Sequence, residues 1–311
     1  MKNILKFEEL LIKSINIEKE KINEPFAVML SGGLDSSLIA AIAKPDLALT
    51  CHIPFGEKYD EFAYAQATVK HLNLNHVVVE AKTEDFEKKL KKGILAIGNP
   101  TPHFSIYPLY ILFEKAKELG ITHIMRGDGA DELLGGYTRN LIVKLIMDLY
   151  DVPELKNYAP LLGTLIGSPI ELYSKLSNPQ RSVKELKQYW TNNNDVVTNM
   201  NFIDLNLQME CQNEIVQKIA KTFDIQVHAP FLNKEMIDFC LALPPEYKIK
   251  GNITKWIERQ VAKKYLPREV VERITKMGGP VAPVNVWMNW TDKGEFDKTN
   301  YLKYQNVVLN G

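Results

Sequence analysis

An apolar run, Phe26-Ala27-Val28-Met29-Leu30, ends abruptly at Ser31-Gly32-Gly33-Leu34-Asp35-Ser36-Ser37 and gives way to Leu38-Ile39-Ala40-Ala41-Ile42-Ala43. That succession predicts a strand, a glycine turn and a helix. A helix starting there presents unpaired N–H groups and partial positive charge to an anion in the turn, and phosphate is the expected guest. Gly32 and Gly33 let the backbone approach phosphate oxygens closely, and the hydroxyls of Ser31, Ser36 and Ser37 add donors. The common ATPase loop ends in Gly-Lys-Ser/Thr, and no lysine stands here. Asp35 sits among the phosphate donors instead. A carboxylate repels phosphate unless a cation lies between them, so Asp35 reads as a magnesium ligand. The bland alternative is a Ser/Gly turn that caps a helix.

The surrounding pattern predicts an α/β fold. Apolar runs at residues 26–30, 47–53, 76–81 and 122–125 alternate with helical patterns at 36–43, 61–72, 84–96 and 106–119. This alternation predicts a parallel sheet with flanking helices. Ligands of such sheets bind beyond the carboxyl ends of the strands. From about Arg139 to Ala220 the pattern is helical without convincing strands, and Trp190 to Asn201, with its asparagines, reads as a loop. Glu210, Glu214 and Lys218 share a helix face, which either reaches the rim of a site or is simply solvated. The expected organisation is an N-terminal helical extension (1–24), an α/β core (25–138), a helical subdomain (139–222) and a closing part (223–311).

Composition narrows the class. With 311 residues and 45% apolar content the chain can bury a sizeable core. Its 38 basic and 38 acidic residues cancel, which argues against nucleic acid as the main partner. No apolar run approaches membrane-spanning length and the N-terminus lacks a continuous apolar stretch, so a cytoplasmic location is expected. Cys51, Cys211 and Cys240 form no Cys-x-x-Cys pair, so neither a zinc knuckle nor a local redox couple is indicated.

The loop resembles the pyrophosphatase-type loop of enzymes that split ATP into AMP and pyrophosphate. A second motif, Arg126-Gly127-Asp128-Gly129-Ala130-Asp131-Glu132-Leu133-Leu134-Gly135-Gly136-Tyr137, resembles the Gly-Asp/Glu-Gly-Ala/Ser-Asp-Glu segment of asparagine synthetases and beta-lactam synthetases. Three further segments follow in the family's order. Pro230-Phe231-Leu232-Asn233 is similar to its Pro-Phe-Leu-Asp, Lys255-Trp256-Ile257-Glu258-Arg259 to its Lys-x-Ile-Leu-Arg, and Arg273 through Lys276-Met277-Gly278 to its Arg-x-Lys-Met-Gly. The resemblance runs from about residue 25 to 290.

The resemblance implies an adenine nucleotide alpha hydrolase-like fold and an ATP-dependent, amide-forming ligase using ATP and Mg2+. A carboxylate, aspartate by default, attacks the α-phosphorus, pyrophosphate leaves, and ammonia or an amine then attacks the acyl-adenylate. It implies Leu30, Ser31, Gly32, Gly33, Asp35, Ser36, Ser37 and Gly127 as nucleotide contacts and Asp35 and Asp131 as metal carboxylates. Lys255 would be directed at the phosphates, and Lys276 would stabilise the charged intermediates. Asp128 either orients the nucleophile and takes its proton or only bonds backbone N–H groups in its turn. Glu132 either meets a substrate amine or places negative charge in the first turn of a helix.

Departures from the family concentrate at the substrate end. Residue 2 is lysine rather than the glutaminase cysteine, and only about 25 residues precede the loop. The expected nitrogen source is therefore free ammonia, ammonia from a separate glutaminase subunit, or an amine of the substrate. Arg126 replaces a small residue, His228 stands for an arginine, Asn233 for an aspartate, and Ile274-Thr275 lengthens the Arg-x-Lys spacing by one. A lactam-forming or base-activating relative and a non-catalytic ATP-binding paralogue are the alternatives, and the oligomeric state is left open.

Overall fold

The computed structural model describes residues 1–56, 59–101, 103–150, 152, 167–177, 180–192, 194–273 and 298–310. Five strands, β1 (Phe26–Met29), β2 (Leu47–His52), β3 (His76–Glu80), β4 (His123–Met125) and β5 (Gln226–His228), form one sheet in the order β3-β2-β1-β4-β5. Every pairing is parallel, with Val28 opposite both Ala48 and Met125. The expected α/β architecture is therefore present. Every residue of β1 and of β4 is buried, as the continuous apolar runs require in a sheet covered on both faces.

The helices along the chain are α1 (Lys2–Lys19), α2 (Leu34–Ala43), α3 (Phe62–Leu72), α4 (Thr83–Ile97), α5 (Ile106–Glu118), α6 (Ala130–Leu134), α7 (Thr138–Tyr150), α8 (Pro169–Leu176), α9 (Val183–Leu186) and α10 (Val196–Ile203). A π-helical turn, Asp204–Met209, leads into α11 (Glu210–Lys221), followed by α12 (Lys234–Ala242), α13 (Pro245–Lys248), α14 (Trp256–Ala262), α15 (Arg268–Val271) and α16 (Lys298–Asn310). None of the described helices is long and apolar enough to cross a membrane.

The chain divides into two compact units. The sheet unit comprises Ile12–Gly127, Gln212–Pro230 and Ala262–Gly311. All five strands lie in it, and the chain runs outward from β1 through β2 to β3 on one side while β4 and β5 lie on the other. Between β1 and β4 the order reverses, and the crevice beyond their carboxyl ends is where such sheets bind ligands. Strand β5 departs from the sequence expectation. Gln226-Val227-His228 carries one aliphatic residue in three, too little for an apolar signal, and it is paired through tertiary context: Gln226 N–H donates to Thr122 O at 2.8 Å and Arg126 N–H to His228 O at 2.9 Å.

The helical unit comprises Met1–Leu11, Asp128–Cys211 and Phe231–Val261. Its core gathers Val143, Ile170, Tyr173, Leu186, Val197, Met200, Ile203 and Ile249. The expectation of a loop over Trp190 to Asn201 is corrected at its second half. Asp195 accepts a hydrogen bond from Thr198 N–H at 2.9 Å and caps α10, which begins at Val196. Two of the asparagines in that stretch, Asn199 and Asn201, are buried with partners. Asn199 Nδ2 donates to Thr191 O at 2.9 Å, and Asn201 Nδ2 donates to Glu132 O at 2.6 Å. Polar side chains normally disfavour a helix interior by bonding to backbone, and here the bonds they make are tertiary.

Next to α10, Asp204 opens the π-helical turn and is 1% exposed. It accepts hydrogen bonds from Arg139 Nη2 at 2.5 Å, from Asn140 Nδ2 at 2.9 Å and from the Tyr173 hydroxyl. Three donors compensate a carboxylate withdrawn from water, and the Arg139 charge holds in turn to Asp204. We expect Asp204→Ala, which leaves the Arg139 guanidinium without that carboxylate, to lose about 3–5 kcal/mol of stability. Urea unfolding checks this, and a loss below about 1 kcal/mol would show that the network is not a structural anchor.

Candidate active site

In the sheet unit, β1 ends at Met29 and α2 starts at Leu34, so Leu30 to Gly33 form the whole connection. Leu30 continues the sheet by donating its N–H to Leu49 O at 2.8 Å, and its carbonyl accepts from Thr50 Oγ1 at 2.9 Å. The loop then folds on its own hydroxyls. Ser31 N–H donates to Ser36 Oγ at 3.2 Å, Gly33 N–H to Ser31 Oγ at 3.2 Å, and the two hydroxyl oxygens lie 3.1 Å apart. Gly33 occupies the N-cap of α2, and no side chain caps the helix. The first-turn N–H groups thus lack the usual Ser/Asp cap, the arrangement that suits an incoming phosphate.

Gly32 has φ +85°, a conformation few residues other than glycine adopt, and its Cβ position would collide with the Glu61 carbonyl oxygen. Ser37 is fully buried with its hydroxyl 3.1 Å from Thr68 Oγ1, a bond that joins α2 to α3. Ser31, by contrast, is partly exposed, and Asp35 is 8% exposed in the first turn of α2.

Gly127 brings the second motif to the first. It follows β4 by two residues, and a Cβ on it would lie 2.8 Å from Asp35 Cβ and 2.9 Å from Ser36 N. Its backbone therefore lies flat against the opening turn of α2. Beside it, the Arg126 guanidinium points back to Met29 Sδ at 2.9 Å.

In the helical unit, α6 carries Asp131 and Glu132, and Lys255 immediately precedes α14. Lys255 Nζ lies 2.6 Å from Asp131 Oδ1, with the lysine side chain 3% exposed. Lys255 also has φ +53°, a left-handed conformation uncommon for a residue with a side chain and frequent where function constrains the backbone. The pair passes directly over Gly136, whose Cβ would overlap both Asp131 Oδ1 and Lys255 Cε. Gly136, the second glycine before Tyr137, is thus a steric requirement of the Asp131–Lys255 contact, a role not assigned to it from sequence.

Glu132 is 2% exposed and accepts a hydrogen bond from the Tyr137 hydroxyl. Burial raises its carboxyl to about 8, with the Asp131 charge adding to the shift. Burial and Glu132 likewise raise Tyr137 well above its ordinary value, so the phenol keeps its proton and donates it. The Arg139 guanidinium stacks 3.9 Å from the centre of the Tyr137 ring, which links Glu132 through Tyr137 to the Asp204 network. Tyr137, Arg139, Asn201 and Asp204 were not singled out from sequence. Only Tyr137 carried a signal, the end of the second motif, since Arg139 and Asp204 are 65 positions apart.

Other candidates fall as follows. Asp128 begins the second segment of the helical unit and is partly exposed, and Lys276 lies outside the described residues. His228 Nδ1 lies 2.8 Å from Glu18 Oε2 and its Nε2 lies 3.0 Å from His123 Nδ1, so the side chain found where an arginine was expected is buried between partners. Asn233 caps α12 by accepting from Glu235 N–H at 3.0 Å, a task asparagine and aspartate share. Glu214 and Lys218 pair at 2.6 Å on a half-exposed face of α11, and Lys218 also donates to Ile97 O at 2.9 Å. Among the described residues no group of three or more His, Cys, Asp or Glu side chains forms a ready metal cage.

Two outcomes are expected. Gly136→Ala should destabilise by about 1–3 kcal/mol through overpacking, and by less than half as much in a Lys255→Ala background, as a double-mutant cycle would read. Equal losses in both backgrounds would separate Gly136 from the pair. Glu132 holds a proton in the folded state that the unfolded chain releases near its ordinary 4.5, so its contribution is complete below that value and is lost as pH rises to about 8. Unfolding free energy should fall across that window by up to ~1.4 kcal/mol per pH unit and should fall less in Glu132→Gln. Superimposable pH profiles would contradict this.

The profile of the family described as "Asparagine synthase" matches residues 6–298. "Asparagine synthetase [glutamine-hydrolyzing] 1" of Bacillus subtilis is 26% identical over 92% of this chain and 51% of its own length. "Asparagine synthetase [glutamine-hydrolyzing] 3" of Arabidopsis thaliana is 24% identical over 98% of this chain and 46% of its own. The chain thus spans about half the length of these relatives. With the loop at the β1–β4 switch point and a match over nearly all its residues, the chain belongs to the asparagine synthase family, a family of ATP-dependent carbon–nitrogen ligases.

Proposed function

We propose that this chain activates a carboxylate, aspartate by default, with ATP and passes the acyl group to ammonia to form an amide. The observation that carries this reading is the phosphate-ready loop, Ser31 to Gly33, with Gly127 flat against the first turn of the helix it opens. The uncapped turn of α2 and the loop hydroxyls suit a triphosphate that loses its two outer phosphates as pyrophosphate.

The cofactors proposed are ATP and Mg2+. Magnesium is usually bound through one or two carboxylates plus substrate phosphates, and Asp35 and Asp131 are the carboxylates proposed for it. When bound it would neutralise charge between the nucleophilic carboxylate and the phosphates. Lys255, buried against Asp131, would turn to the phosphate oxygens. Lys276 would stabilise charge on the reacting centre, Asp128 would orient the nucleophile, and Glu132 would meet the substrate's amino group. A neutral Glu132 must lose its proton to pair with an ammonium, so substrate binding should release a proton and tighten as pH rises toward 8.

The nitrogen source is proposed to be ammonia, free or delivered by a separate glutaminase. The relatives named above are glutamine-hydrolysing and about twice as long.

AMP and pyrophosphate release with aspartate plus ammonium, with aspartate plus glutamine and with other acids tests the reading. Aspartate- and ammonium-dependent AMP formation with asparagine as product is expected. Asp35→Ala should lower the rate at least 100-fold with an unchanged circular dichroism spectrum. AMP formation only with another acid would replace aspartate, and no AMP with any acid would overturn the ligase assignment.

A further inference from the structure

Against the phosphate loop sits a charged pair, Glu61 and Arg273, whose contact the sequence did not foretell. Glu61 is 1% exposed and immediately precedes α3. Its carbonyl oxygen occupies the space where Gly32 lacks a side chain, and accepts from Tyr64 N–H at 3.0 Å and Ala65 N–H at 3.3 Å. Its carboxylate oxygen Oε2 lies 4.0 Å from where a Cβ on Gly33 would stand. A buried negative charge thus lies next to the turn that has to accept a polyanion. Arg273 ion-pairs with that carboxylate through Nη2, and its guanidinium stacks 4.2 Å from the centre of the Tyr64 ring. In sequence Arg273 opens the segment that reaches Lys276 three residues later.

We propose that Glu61 and Arg273 are positioning residues that form a neutral clamp against the phosphate loop. Glu61 fixes the loop by wedging its peptide under Gly32. Arg273 cancels the carboxylate charge, so that the triphosphate meets only the donors of the loop. The inference rests on the reading of Ser31 to Ser37 as an ATP site. Its physical content is an asymmetry. A buried ion pair contributes little net stability compared with apolar packing, but removing one partner leaves an uncompensated charge. Loss of Arg273 removes the positive charge paired with that carboxylate, whose field then repels phosphate more strongly through a low-dielectric medium. Loss of the Glu61 charge adds no such repulsion.

The test compares Arg273→Met, Glu61→Gln and the double variant with wild type, using calorimetric titration of the intact protein with magnesium and a non-hydrolysable ATP analogue. Hydrogen exchange of residues 30–37 and the unfolding midpoint are measured without nucleotide. Arg273→Met should bind the analogue at least 10-fold more weakly. The double variant should recover to within 3-fold of Glu61→Gln, even where its midpoint stays below that of wild type. Exchange over residues 30–37 should quicken at least 5-fold in Arg273→Met. A clamp that is only structural would show affinity following the midpoint, with no rescue, and that result would overturn the proposal. If Arg273→Met does not fold, Arg273→Gln takes its place in the same comparison. Should wild type bind the analogue without forming AMP with any acid, the ligase reading fails while the rescue still decides the clamp. Should wild type not bind the analogue, the ATP-site reading and the clamp built on it both fall.

Discussion

The close approach of Gly127 to the first turn of α2 is the constraint on which the rest of the sheet unit depends. A Cβ at this position would stand 2.8 Å from Asp35 Cβ and 2.9 Å from Ser36 N, so a side chain there would force the two apart. The contact requires β1 and β4 to be neighbours, with their carboxyl ends level and their loops leaving on the same side. Parallel pairing of Val28 with Met125 supplies that alignment, and the reversal of strand order between them leaves the crevice that α/β sheets use for ligands. Short glycine-rich connections then bring the Ser31–Gly33 loop and Gly127 to that crevice without long side chains.

The helical unit solves a different problem, which is to keep acidic and basic groups buried without collapse. Asp131 faces Lys255, Glu132 keeps its proton under Tyr137, and Asp204 collects Arg139, Asn140 and Tyr173. Each carboxyl is either paired or neutral, as burial demands. The π-helical turn at Asp204 is the kind of irregularity that recurs at functional sites. Here it carries the carboxylate that receives Arg139.

Much of this was legible in the sequence because it is local. Strands β1 to β4 and helices α2 to α5 follow from hydrophobic period, and the loop from its glycines, within a residue or two at most ends. What was not legible is non-local or weakly patterned. Strand β5 exists because Gln226 and His228 find backbone partners at the edge of β4, not because three mixed residues favour a strand. Helix α10 lies at the end of a stretch that reads as a loop for its asparagine cluster, and two of those asparagines, Asn199 and Asn201, are instead engaged by Thr191 and the Glu132 carbonyl. Similarly, Glu61 and Arg273 are more than 200 positions apart. Within the site, the steric role of Gly136 and the proton on Glu132 needed coordinates, whereas the candidacy of Asp35, Asp131 and Lys255 needed only motif and order.

The central claim is that a substrate carboxylate attacks the α-phosphorus of ATP held at the Ser31–Gly33 loop. Aspartate labelled with 18O in its side-chain carboxylate, turned over with ATP, magnesium and ammonium, tests it most directly. Transfer of one label into AMP, with unlabelled pyrophosphate, is the result predicted. Label in inorganic phosphate alongside ADP would place the attack on the γ-phosphorus and contradict the account.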